Sequence, residues 1–173
     1  ICSIICDIRK DYKILINDEV SQIDQIREYL LPIKFSKLTE DIKKNIISKK
    51  KAIEHVNSNG ILITFPSGEV ATSSLIFNEA NERRWKPLIG SIINKTNAAI
   101  IPVRFFGKNS LLFHTIGFVN NNLRRILFIR ELLNKKNQTF KLSIGKKISS
   151  LNEERLNNRQ IVDKLRSIVL NIN

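Results

Sequence analysis

The residues whose types and spacing could do chemistry cluster in the run FPSGEVATS, which directly follows the apolar segment ILIT. Pro66 fixes the exit from that segment, and Gly68 lets the backbone approach a ligand closely. Glu69, Thr72 and Ser73 add polar groups that a sheet does not need. In open α/β sheets, ligands gather outside the carboxyl ends of the strands, where loops can point groups into a crevice without disturbing the core. Phe65, Pro66, Ser67, Gly68 and Glu69 are therefore candidate substrate-binding residues. The same residue types also make ordinary turns, so the local pattern alone does not assign a function. The two histidines, His55 on a lysine-rich segment and His114 in LLFHTIGF, lack a sequence partner and read as surface or core residues. Cys2 and Cys6 are the only cysteines and lie in an apolar segment. They are expected to be buried structural thiols in a reducing compartment, because no second pair exists to build a zinc site or a disulfide framework. No metal is expected.

The elements that must position the turn can be read from periodicity. A first helix-like stretch precedes the strand candidate KILIN, and residues 18–30 then place Val20, Ile23, Ile26 and Leu30 on one helical face with Asp18 as N-cap. Pro32 stops that helix and begins an extended piece through Ile33 and Phe35. The pattern predicts a second helix over residues 39–57, with Ile42, Ile46, Ile53 and Val56 inward, lysines outward and Gly60 as the stop. ILITF is expected to be a strand buried on both faces, as is AAIIPVRFF at residues 98–106. Residues 85–94 read as a helix entered through Pro87, TFKLSI as a strand, and residues 153–170 as a closing helix. Strands alternating with helices predict one α/β domain with a mostly parallel central sheet flanked by helices.

At 173 residues and 42% hydrophobic content, the chain is large enough for one domain with a real core. It opens with Ile1 and contains no methionine, so a fragment is expected. The net charge of +13 favours an anionic partner: nucleic acid, a phospholipid surface or an acidic carrier protein. A general bias towards Ile, Asn and Lys is an equally simple source of the lysines. No apolar run approaches the roughly 18 residues that a spanning helix needs, so any membrane contact is expected to be peripheral.

Taken together and in order, ILITFPSGEVATS, AAIIPVRFFGKNS and RELLNKKNQTFKLSIGKKI resemble the lysophospholipid acyltransferase superfamily, nearest its hemolysin-like branch, which includes enzymes that acylate lyso-ornithine lipids. The resemblance runs over most of residues 7–148. It implies a glycerolipid acyltransferase-like fold and acyl transfer from a thioester, acyl carrier protein or acyl-coenzyme A, to a lysolipid, with no further cofactor. In this family a His-x4-Asp motif supplies the base, the aspartate orienting the imidazole. Five residues beyond His55 and His114 stand Gly60 and Val119, so neither makes that motif. No catalytic residue is assigned in this chain. The family motif precedes a stretch matching residues 1–17, and the chain is expected to start just after it.

Phe65, Pro66 and Gly68 match the family's FP-E-G-T-R-S motif, whereas Ser67 replaces its glutamate and Val70 its arginine. Glu69 matches the FP-x-G-E form of the hemolysin-like branch. The missing arginine, which usually grips an acceptor phosphate through paired hydrogen bonds, points away from a glycerol-phosphate acceptor. Arg83, Arg84 or Arg104 are possible substitutes, with a solvated surface role as the simpler alternative. Pro102 matches the proline that ends a strand near the acyl pocket in the family. Arg104 follows it, and Gly107, Lys108, Asn109 and Ser110 continue as a polar loop.

The stretch NNLRRILFIRELLNKK interleaves apolar residues with Arg124, Arg125 and Arg130, which suits an interfacial helix on an anionic membrane surface. A core-packed helix with a solvated basic face fits the same pattern. Nucleic acid is not the expected partner, because aromatic residues make up only 7% and the phenylalanines fall largely in strand-like or apolar runs. The expected protein is an O-acyltransferase of membrane lipid synthesis, cytoplasmic and peripheral on the inner face of the cell membrane. A non-catalytic basic lipid- or nucleic-acid-binding domain is the alternative.

Overall fold

The computed structural model describes residues 1–18, 24–34, 36, 38–68, 84–106, 139–149, 151 and 156–173. The chain is mixed α/β. It begins with a short helix α1 (Cys2–Cys6) and strand β1 (Tyr12–Asn17), followed by a 3-10 stretch (Asp24–Tyr29) and strand β2 (Leu30–Ile33). Helix α2 (Thr39–Asn57), strand β3 (Ile61–Thr64), helix α3 (Leu88–Ile93), strands β4 (Val103–Phe106) and β5 (Lys141–Ile144), and helix α4 (Asn158–Leu170) complete the order.

Strands β2, β1 and β3 form a parallel sheet in that order, with Ile14 opposite Leu30 on one side and Ile63 on the other. Side chains alternate across β1, so its two neighbouring core residues serve different layers. Ile14 joins Leu30 and Ile63 under Ile1, Cys2 and Ile5 of the amino-terminal segment. Leu15 faces the opposite way, with Leu31, Ile33, Ala52, Trp85, Ile89 and Ile161, so α2, α3 and α4 contribute to that second layer. The parallel sheet with helices is as the sequence pattern predicts. Strands β4 and β5 do not join it; they pair with each other, antiparallel, with Val103 opposite Ile144.

Several sequence expectations are corrected. Residues 18–30 do not form one helix: Leu30 belongs to β2, preceded by the 3-10 stretch, and Asp18 pairs with Lys34 at 3.4 Å. Val20, Ile23 and Phe35 lie outside the described residues. Pro32 sits within β2, which is tolerated because, among the described residues, that strand is an edge with one side lacking a ladder partner. β3 is only partly buried rather than covered on both faces, with Ile63 alone among its four residues fully buried. β4 is shorter than residues 98–106 and is not a buried strand: Ile101 and Phe105 are 61% and 47% exposed. Among the described residues its antiparallel ribbon has two strands, which do not enclose both faces. The thiols are less enclosed than expected, Cys2 being half-buried and Cys6 exposed. A five-residue helix cannot bury all its faces, and α1 gives Cys2 and Ile5 to the core.

Helix α2 has the predicted boundaries, but a different inward face. Asp41, Ser48 and Ala52 are buried and Ile42 and Ile46 are exposed, whereas Ile53 packs against the core as expected and Val56 is half-buried. Three polar side chains determine this rotation. Ser48 donates through Oγ to the Pro32 carbonyl at 2.7 Å. Asn45 accepts from the Lys34 amide at 2.9 Å and donates to the Lys34 carbonyl at 2.7 Å. Asp41 accepts from the Ser36 hydroxyl at 2.6 Å and pairs with Lys34 at 3.5 Å. Backbone groups leaving an edge strand need partners, and polar residues on α2 supply them.

The helix stop is also more specific than Gly60 alone. Asn59 adopts φ 65°, and its amide and that of Gly60 donate to the carbonyls of Val56 and His55 at 2.9 Å each. This paired closure is the Schellman arrangement, with Asn in the left-handed position.

Candidate functional site

The turn after β3 is closed by the Gly68 amide donating to the Phe65 carbonyl at 2.9 Å. Pro66 occupies the second position, where its fixed φ is favoured, and Gly68 takes φ 69°. The Pro66 carbonyl accepts from the Lys86 amide at 2.9 Å, which fastens the turn to the segment entering α3. Ser67 is buried at 4% exposure, whereas Phe65 presents about half its surface to solvent. Phe65, Pro66, Ser67 and Gly68 thus form one compact unit beyond the carboxyl end of a parallel strand. Glu69, Val70, Thr72 and Ser73 lie outside the described residues.

A charged network continues behind the turn. Trp85, adjacent to Lys86, is buried in the core, and its carbonyl accepts from Arg159 Nη1 at 2.7 Å. Arg159 also donates to both carboxylate oxygens of Asp163, through Nη2 at 2.8 Å and Nε at 3.2 Å. Arg84 adds a further bond to Asp163 at 3.0 Å. The Arg84 hydrogen bond, followed by that of Arg159, holds the Asp163 carboxyl below the usual carboxylate range, although burial opposes the shift. This cluster links the turn region to α4 and was missed from the sequence; the i,i+4 Arg–Asp spacing on α4 was its one available signal. Trp85 Nε1 is buried without a hydrogen-bond partner among the described residues.

The other proposed binding residues are placed elsewhere. Pro102 is buried, and its carbonyl accepts from the Gly145 amide at 2.8 Å, joining the segments beside β4 and β5. Arg104 Nη1 donates to the carbonyls of Leu170 and Ile172 at 2.5 and 3.0 Å, and the guanidinium lies 4.9 Å from the Phe106 ring centroid. These contacts satisfy acceptors at the end of α4 and put a cation at the negative end of a helix. Arg84 is held by Asp163. Arg83, Gly107, Lys108, Asn109, Ser110, His114 and the basic stretch with Arg124, Arg125 and Arg130 lie outside the described residues.

His55 has a structural position. Its Nε2 is 3.1 Å from the Ile61 carbonyl, which can only accept, so Nε2 carries a proton. Its ring also fills the space over Gly60, where an added Cβ would lie 2.3 Å from the imidazole. Ile61 starts β3 and the Phe65 turn follows its end, so about 13 Å of extended chain separates the two. His55 is at the wrong end of the strand to act on a ligand at that turn.

Among the described residues, no group of three or more His, Cys, Asp or Glu could hold a metal ion. No helix among them is long and apolar enough to cross a membrane. No family model, curated protein or solved structure matches this chain.

Proposed function

We propose that this chain is the acceptor-side part of a glycerolipid acyltransferase-like domain, serving transfer of a fatty acyl group from an acyl thioester to a lysolipid. The observation that carries the proposal is the FPSGE turn, in sequence order with AAIIPV and TFKLSI. Its position beyond the carboxyl end of β3 supports a ligand-binding role. The donor is acyl carrier protein or acyl-coenzyme A, and the acceptor is lyso-ornithine lipid or a lysophospholipid.

In the proposed reaction the acceptor hydroxyl oxygen attacks the thioester carbonyl carbon. The new C–O bond forms, the C–S bond breaks, and the hydroxyl proton passes through a base to the departing thiolate. The Phe65 turn would orient the acceptor, its half-exposed ring offering an apolar contact. The base belongs to the family's His-x4-Asp motif, which neither His55 nor His114 supplies. The 173 residues alone are therefore expected to show negligible turnover. Membrane association would be peripheral, at the inner face of the cell membrane.

The test is acyl transfer by the full-length protein, with both donors offered against lyso-ornithine lipid and lysophospholipids and products identified by mass spectrometry. Absence of transfer to every acceptor sinks the proposal. Binding to anionic lipid without transfer would instead favour a non-catalytic lipid-binding domain, and preference for DNA over lipid a nucleic-acid-binding one.

A further inference from the structure

We infer that the outward face of α2 is a docking surface for an anionic phospholipid membrane. The choice of lipid as the anionic partner rests on the acyl-transfer proposal, whereas the surface itself is defined by the helix. Leu38, Ile42 and Ile46 are separated by four residues each, which stacks them along one side of a helix. They are 68%, 46% and 60% exposed. Asn45, Ser48 and Asp41 fasten the adjoining face to the end of β2 and its exit, so the isoleucines cannot turn inward without breaking those bonds.

Cations border this apolar line. Lys43 and Lys50 are exposed on one flank, and Lys49 lies within the line, where its aliphatic stem can cover apolar surface while the ammonium reaches the headgroups. Lys44, Lys51 and Ile47 are exposed further round. Glu54 pairs with Lys50 at 3.7 Å, and Glu40 lies near the amino end, so lysines outnumber the exposed carboxylates of this helix. At about 28 Å, the helix is long enough to lie along an interface. An apolar line bordered by lysines matches both layers of an anionic bilayer surface, acyl chain and headgroup. A nucleic-acid backbone would engage the lysines and leave the isoleucines unexplained.

The experiment is sedimentation of the full chain with vesicles of equimolar phosphatidylglycerol and phosphatidylcholine, against pure phosphatidylcholine vesicles and duplex DNA. The parent protein is expected to prefer the anionic vesicles. I42S/I46S should weaken that binding about tenfold or more, because two apolar side chains no longer leave water. K43Q/K50Q should weaken it about tenfold at low salt and less at high salt. A second variant, I46W, retains the apolar character, and its added emission should move to shorter wavelength and resist aqueous quenchers on the vesicles. Parent-like vesicle binding by I42S/I46S, or I46W emission that stays fully quenchable, would overturn the inference. So would stronger binding to DNA that depends on the lysines alone. Vesicle binding that fails in I42S/I46S while acyl transfer is absent supports this surface and defeats only the enzymatic proposal. Acyl transfer with vesicle binding insensitive to both sets of α2 substitutions does the reverse.

Discussion

At Arg104, residue type and position in the chain suggest a ligand contact, but the guanidinium is placed on the last carbonyls of α4. Arg104→Ala is expected to lower unfolding stability by about 1.5–3 kcal/mol, the range for a hydrogen bond to a charged group. Arg104→Lys should recover only part, since an ammonium lacks the planar fork. Denaturant unfolding checks this, and a raised acceptor KM with unchanged stability would contradict the structural role. Asp163 gives a pH prediction. Its folded carboxyl is depressed below the ordinary value of 3.8, so its contribution is fully present above that value and is lost as pH falls through the folded value. Asp163→Asn should lower the melting temperature at neutral pH and reduce the further fall on acidification. An unchanged acid limb would show that the Arg84 and Arg159 contacts do not bear on folding. Asp41, depressed chiefly by its Ser36 hydrogen bond, acts in the same direction, so some acid sensitivity should survive.

Among the elements, α4 starts later than the apolar periodicity suggests because its start is set by a capping box. Asn157 accepts from the amides of Arg159 and Gln160 at 2.9 and 3.0 Å, and Gln160 Oε1 accepts from the Asn157 amide at 2.9 Å. The Asn-x-x-Gln spacing was visible in the sequence, whereas periodicity alone carried the expected helix back to residue 153. Asn157→Ala should cost about 1 kcal/mol in chemical denaturation, and Asn157→Ser much less. The contact between α3 and α4 depends on Gly90. A Cβ there would lie 2.0 Å from the Asn158 carbonyl oxygen, backbone that cannot rotate aside. Gly90→Ala should destabilise by about 1–3 kcal/mol through separation of the helices, even though alanine is the better helix former. Equal or greater stability on thermal unfolding would show that the helices can separate freely.

For the molecule as a whole, the proposed acyl transfer and the inferred membrane docking are separable, one expected at the Phe65 turn and the other on α2. The sequence by itself determined the existence of α2, the strand before the FPSGE turn and the α/β character, since each follows from local periodicity and from the breakers Pro66, Gly68 and Gly60. It also showed that neither histidine has an aspartate five residues on, as a His-x4-Asp motif would need. Tertiary structure decided which strands are edges, because β2, β1 and β3 align only when distant segments meet. It decided that β4 pairs with β5 rather than with the parallel sheet, and that Arg104 serves α4. It also turned the first half of α2, so that Ile42 and Ile46 face outward while Ile53 still packs against the core. Apolar spacing is a local property that turns Ile42 and Ile46 towards a core, but the carbonyl of Pro32 and the backbone of Lys34 required polar partners from the same helix. The need to satisfy backbone groups at the end of an edge strand fixed the rotation that hydrophobic spacing left undetermined.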